Sequence, residues 1–224
     1  MTNTAQDGPV LRIDGTRPLS DEAIRAVQTA SDQAEGKEDP GIVLAYVSGA
    51  PGEMAGDAGL DVALVSRWER AVRRLERGHL PVVAVATGDC GGTALDVLLA
   101  ADFRIATSRL RLLAAVGHEA SWPGMAAFRL VQQAGVAAVR SALLFGTPVT
   151  ATDALALRLV DEITEDIPGA VAAASGRLAA IAGPELAIRR QLMFDATWMS
   201  FEDALGPHLA ACDRALRRAC GQAA

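Results

Sequence analysis

The residues best suited to chemistry lie in one run, Gly88-Asp-Cys-Gly-Gly-Thr-Ala-Leu-Asp96. Its glycines permit positive φ and close backbone approach. From Thr93 to Ala101 the chain carries almost no polar side chain except Asp96. A helix that apolar lies against a core, so its free N–H groups at Gly92, Thr93 and Ala94 point back into the glycine turn. Such an end attracts negative charge, including the charge that develops on a carbonyl oxygen. Asp96 lies about one helical turn further in. Donors beside a carboxylate are the parts of an acyl-chemistry site. The plainer alternative is a strand–glycine–helix junction that binds nothing, with Asp96 bonded to backbone at the helix start. No Gly-Lys-Ser/Thr follows, so there is no phosphate loop, and Gly88-Asp-Cys-Gly91 does not match G-x-G-x-x-G.

These residues need elements to hold them. Val82–Ala86 is an unbroken, largely β-branched apolar run, which predicts a strand covered on both faces. Val10–Asp14 and Gly41–Val47 predict two further strands. Between them Ser20, with Asp21 and Glu22 behind it, predicts a helix start, and Gly36 its end. Small residues from Ser48 to Gly59 predict a turn-rich loop. Helix follows from about Leu60 to Arg77, with Val62, Val65, Trp68, Val72 and Leu75 on one face. Arg67, Arg70, Arg73, Arg74 and Arg77 form a basic stripe, read either as a solvated face or as a seat for a phosphate-bearing ligand. Thr150 or Thr152 caps a helix ending near Arg158, and Leu159–Ile163 predicts a short strand. Beyond Pro168-Gly169 the chain is helical. Strands alternating with helices predict an α/β fold. The division is a loose tail at 1–8, a core at 9–167 and a helical region at 168–224. That last region cannot form a core alone, so it must pack on its own domain or on another subunit.

The 224 residues carry a net charge of −6, with Lys37 the only lysine, which argues against a nucleic-acid surface. No apolar run reaches membrane-spanning length, and the polar first eight residues do not read as a signal peptide. Cys90, Cys212 and Cys220 have no metal-ligand spacing. Their odd number suits free thiols in a reducing cytoplasm. Cys90 precedes the helix start, but no base pairs with it, so it reads as a small core residue.

Several stretches, in order, resemble the crotonase (enoyl-CoA hydratase/isomerase) family: Arg17-Pro18, Ile42–Gly49 and Pro81–Gly88. Gly91-Gly-Thr-Ala-Leu-Asp-Val-Leu-Leu-Ala-Ala-Asp-Phe-Arg-Ile-Ala106 looks like its G-G-G-x-E-L-A-L-A-x-D-x-R-I-A signature. Trp122-Pro-Gly124 and Phe145–Ile163 look like two later signatures, and the similarity covers about residues 10–215. The resemblance implies a crotonase-like spiral of ββα turns with a C-terminal helical oligomerisation region, assembled as trimers or hexamers. It implies an acyl-CoA thioester as substrate, with coenzyme A as part of that substrate and no separate cofactor or metal. Two backbone N–H groups would hold the thioester oxygen and stabilise an enolate. By ungapped counting these fall on Ala58 and Thr93, each worth about 3 kcal/mol in such chemistry. Gly56, Asp57 and Gly92 beside the donors, and Trp122, Pro123 and Gly124 in the proline–glycine turn, are the expected substrate contacts.

The carboxylates depart from the family pattern. The first hydratase glutamate maps to Asp96, one methylene shorter, and the second maps to Val116, where no acid stands. His118 and Glu119, two and three positions later, read either as its replacement or as a polar pocket rim. Two-glutamate hydration is therefore not expected. Within the family the chain looks most like the hydratase-like component that assists a type III polyketide synthase in making 3,5-dihydroxyphenylacetyl-CoA, the precursor of dihydroxyphenylglycine in antibiotic biosynthesis. There, water loss and aromatisation would supply the driving force. Two alternatives stand beside it: a catalytically silent fold that stimulates the synthase, and a different crotonase reaction, thioester hydrolysis or isomerisation, with Glu119 as the residue to test.

Overall fold

A computed structural model describes residues 8–37, 41–52, 60–116, 120–121 and 124–221. Strand β1 (Val10–Asp14) alternates exposed and buried side chains, as an edge strand does. Helix α1 (Asp21–Glu35) starts at Ser20, whose hydroxyl accepts the Ala23 N–H, and buries Ile24, Val27 and Ala30. Strand β2 (Val43–Gly49) is followed, after residues outside the description, by α2 (Val62–Arg77), capped by Asp61, whose carboxylate accepts the Leu64 N–H.

Strand β3 (Val82–Gly91) is longer than the apolar run predicts, because it continues through the glycine turn. Residues 83–86 pair with β4 (Phe103–Ala106), whereas Asp89–Gly91 pair with β5 (Arg111–Leu113). The change of partner falls at Gly88, whose φ of 63° suits glycine. Between β3 and β4 lies α3 (Gly92–Leu99), every residue of which is buried. A short hairpin, β6 (Ala115–Val116) with β7 (Ala120–Ser121), leads to α4 (Ala126–Ala134) and α5 (Val136–Phe145). Strand β8 (Val149–Thr150) pairs with β5, and Thr150 then caps α6 (Ala151–Ala156). Of the run Leu159–Ile163, only β9 (Glu162–Ile163) is paired strand.

The main sheet is parallel in the order β1-β2-β3-β4-β9, with β5 branching from the far end of β3. The larger core lies between the sheet, α1, α2 and α3. Helix α7 (Ile167–Leu178) covers the other face, where Ala170, Val171 and Ala174 pack on Ile42, Val83, Val85 and Ile105. Burial on both faces is why β3 reads as continuous Val and Ala. Helix α8 (Pro184–Asp195) is fixed by the buried Arg190, which ion-pairs with Asp102 and donates to the Gly78 and Leu80 carbonyl oxygens. Helix α9 (Phe201–Gly221) starts at Ser200, whose hydroxyl accepts the Asp203 N–H, and Phe201, Leu205, Leu209 and Leu216 are all exposed along it. No single described helix is long and apolar enough to cross a membrane.

Candidate functional site

Strands β1, β2 and β3 end together against the start of α3. The backbone is crowded there: a Cβ at Gly91 would sit 2.9 Å from both the Ala50 Cβ and the Leu113 carbonyl oxygen. Only glycine fits, and it lets the chain turn directly from strand into helix. Gly92 then takes a φ of 54°, again a glycine conformation. Gly91 is the N-cap, and among the described residues no side chain caps α3. Its first N–H groups are of the kind that a helix leaves for an acceptor outside itself.

Thr93, in this first turn, lines a cavity of about 380 Å³ between the ends of β1 and β2 and the start of α1. Arg12, Asp14, Arg17, Tyr46 and Ser48 share its wall. The Arg12 guanidinium lies over the Tyr46 ring, 4.5 Å from its centroid, which orients it by cation–π attraction. Arg17 makes a two-pronged contact with Glu22 at 2.9 and 3.2 Å. Asp14 accepts from the Thr16 hydroxyl and N–H, and these bonds hold its carboxyl below the usual carboxylate range. The cavity thus brings Thr93, at the helix start, together with two guanidinium groups and the carboxylates of Asp14 and Glu22.

Asp96 is turned toward a different set of groups. It is fully buried, and its Oδ2 accepts the Trp68 indole N–H at 2.8 Å. Its Oδ1 lies 3.8 Å from Nη1 of Arg129 on α4. Arg129 is itself buried and meets Glu69 at 2.9 Å and Glu76 at 3.9 Å, both on α2. Glu69 also accepts the Met125 N–H at 2.8 Å, which places an acid at the start of α4. Burial pushes the Glu76 carboxyl above its ordinary pKa, opposed by Arg129, Arg73, Arg77 and Arg104 in that order. The Cys90 thiol is fully buried, and burial, then the Asp96 charge, raises its pKa far above the ordinary thiol range, so it is no nucleophile.

Of the expected site residues, the structure places Gly92 and Thr93 at the α3 start, Asp96 one turn on, and Gly124 just before α4. Ala58, Gly56, Asp57, His118, Glu119, Trp122 and Pro123 lie outside the described residues. Sequence reasoning missed Arg12 and Tyr46, which meet only across paired strands, at partners Arg12 and Tyr46 of the β1–β2 register. It also read Trp68 as an apolar contact and overlooked Arg129. The available signal was an arginine between Ala126 and Leu130 on the buried face of α4. The five-arginine stripe of α2 divides in two. Arg67 pairs with Asp21 at 2.5 Å, and Arg74 with Asp32 and Glu35 at 2.6 and 2.5 Å, all on α1. Arg70, Arg73 and Arg77 face a separate groove.

The chain matches the model of the enoyl-CoA hydratase/isomerase family over residues 45–193. It is 52% identical over 209 residues to an enoyl-CoA hydratase of Amycolatopsis orientalis, covering 93% of this chain and 96% of that one. A solved Pseudomonas aeruginosa protein superposes with a TM-score of 0.73 at 22% identity, covering 93% of this chain and 99% of its own. The enoyl-CoA hydratase of Mycobacterium smegmatis does so at 0.75 and 18% identity, covering 92% and 87%. At such identities the two structures speak for the fold, and the expected α/β spiral is the one observed. The family model and the Amycolatopsis relative carry more: the chain belongs to the enoyl-CoA hydratase/isomerase family.

Proposed function

We propose that the protein acts on an acyl-CoA thioester that a type III polyketide synthase supplies, and loses water from it to leave an aromatic ring, as in 3,5-dihydroxyphenylacetyl-CoA. The observation that carries the thioester part is the start of α3, without a side-chain cap, whose Thr93 lines the Arg12–Arg17 cavity. A thioester oxygen at the Thr93 N–H would gain negative charge as the α-proton leaves, and a fixed dipole there lowers the enolate's energy without reorganisation. Arg12, which stacks on Tyr46 and makes no ion pair among the described residues, suits a phosphate of coenzyme A. Support for the polyketide part comes from the sequence: Asp96 stands alone where hydratases carry their first glutamate, and Val116 where they carry their second. One acid–base group is enough when aromatisation drives the reaction. Asp96 would take the α-proton and return it to the departing β-hydroxyl, so water leaves and the carboxylate is restored.

One observation favours a second reading, a non-catalytic partner that stimulates the synthase. Asp96 is fully buried, and Trp68 and Arg129 bind it from the side. That is how a structural tie between helices looks. The α9 apolar stripe supports self-association under either reading, and light scattering at micromolar concentration tests it against a monomer.

The deciding experiment mixes purified protein with a malonyl-CoA-consuming type III synthase and follows aromatic thioester by chromatography. Asp96→Asn should lower the stimulated rate by about 10²-fold or more if Asp96 moves the proton. Equal stimulation by wild type and variant supports the partner reading. No stimulation by either removes the polyketide assignment. The thermal midpoint of the variant is measured alongside, since it alters a buried polar cluster.

A further inference from the structure

A second cavity is larger than the one at Thr93. A groove of about 780 Å³ runs between α2, α4 and α8. One wall is apolar and exposed: Met125 just before α4, Phe128 on it, Met193 from α8, and Trp198 just beyond α8, 72% exposed. The other wall is the inner half of the α2 stripe. Arg70 donates to the Ser66 carbonyl oxygen, Arg73 reaches Glu76 only at 3.9 Å, and no ion pair of Arg77 occurs among the described residues.

The charges facing this groove do not cancel. Arg74, at its edge, is matched on the α1 side by Asp32 and Glu35. Arg70, Arg73, Arg77 and Arg129 then face two acids, Glu69 and Glu76. Glu69 is spent on Arg129, and burial favours the neutral form of Glu76. The balance stays positive even with Asp96, behind Arg129, counted. A cationic hollow in a chain of net charge −6 concentrates anions against the field of the whole molecule. An apolar wall of aromatic rings and methionines, facing convergent charges in a volume of this size, is the composition of a small-molecule site.

We propose that the α2–α4–α8 groove binds a small organic carboxylate with a planar apolar body, its body on Phe128 and Trp198 and its charge on Arg70, Arg73 and Arg77. This site is separate from the Thr93 cavity and does not depend on the thioester reading.

Calorimetric titration with 1-naphthylacetate tests it, with 1-naphthylacetamide as the uncharged control and inorganic phosphate as the control without an apolar body. The proposal expects saturable one-site binding of the acid that weakens with salt. Naphthylacetamide should bind about tenfold more weakly or worse, and phosphate should fail to saturate. Arg73→Gln with Arg77→Gln should weaken the acid at least about tenfold. Phe128→Ala should weaken acid and amide together. Coenzyme A, as a probe of the other cavity, should neither compete with naphthylacetate nor lose affinity in these variants. The thermal midpoints of the variants check folding. Lack of saturation by naphthylacetate, unchanged affinity in the arginine variant, displacement by coenzyme A, or phosphate binding as tightly as the acid would each overturn the proposal.

Discussion

Helices α3 and α9 differ in almost every physical respect. All eight residues of α3 are buried, and its one charged side chain is engaged by α2 and α4. Helix α9 is more than twice as long and leaves four large apolar side chains in solvent. Among the described residues its ion pair to the rest of the chain is Arg218 to Glu185 at 3.0 Å, a half-exposed pair worth little. Helix α8 falls between them, held by one buried arginine. The difference teaches where each region gets its order. Helix α3 takes it from packing, as a helix of its length must. Helix α9 has length and a cap, but its apolar stripe is left exposed among the described residues.

Removing Trp68 should break this contrast most severely. It is the largest fully buried side chain and the donor to Asp96. Trp68→Ala opens a cavity and takes away a hydrogen bond, so denaturant unfolding should show a loss of about 3–5 kcal/mol. Trp68→Phe keeps most of the ring, and its smaller loss would isolate the hydrogen bond, on the order of 1–3 kcal/mol. Near-identical stability of Trp68→Phe and wild type would mean that Asp96 does not depend on the indole.

Arg190→Ala comes next. It takes the guanidinium from Asp102, which keeps the Val82 N–H, and leaves two carbonyl oxygens without that donor, at an expected cost of about 3 kcal/mol. Proteolysis should then cut near 183–199 before the sheet unfolds. Arg190→Lys restores the charge without the fork, so partial recovery is expected. If α8 stays protected in Arg190→Ala, its apolar contacts and not the arginine hold it.

Ending the chain at Met199 tests α9 from the other side. Its exposed stripe predicts that the truncated protein keeps its fold and that its thermal midpoint is independent of concentration. If full-length protein associates through the stripe, its midpoint rises with concentration, because association stabilises the folded state by mass action. A truncation that unfolds the sheet would show that α9 contributes to the core after all.

The parts that could be read from sequence are those in which neighbours along the chain decide the outcome. The Val82–Ala86 run, the Ser20 cap, the Thr150 cap and the Gly91–Thr93 junction follow from local steric and hydrogen-bonding rules. Strands β5 and β8 did not announce themselves: they have three and two residues, too few for a period. The stripe of α2 looked uniform because Asp21, Asp32 and Glu35, which neutralise its outer half, stand on another helix. Asp96 was legible as a lone acid in an apolar helix. Its partners were not, because Trp68 and Arg129 come from helices that only the tertiary fold brings together.

The smallest effect expected concerns Glu76, where the buried polar cluster meets the open groove. Burial raises its carboxyl pKa in the folded chain, whereas the unfolded chain holds it near its ordinary 4.5. The folded state therefore binds the proton more tightly, and stability from this group is greatest below the unfolded pKa. It falls as pH rises from there through the folded value, because the folded chain must then either bury a charge or keep its proton. Glu76→Gln removes this dependence while keeping size and hydrogen-bonding capacity. The variant's thermal midpoint, less that of wild type at the same pH, should grow more positive from about pH 4 to pH 7, by a few degrees at most. Comparing differences cancels the other carboxylates, which titrate alike in both proteins. An opposite trend would mean that Arg129 and Arg73 outweigh burial, that Glu76 is a working ion-pair partner in the folded chain, and that the groove is correspondingly less positive.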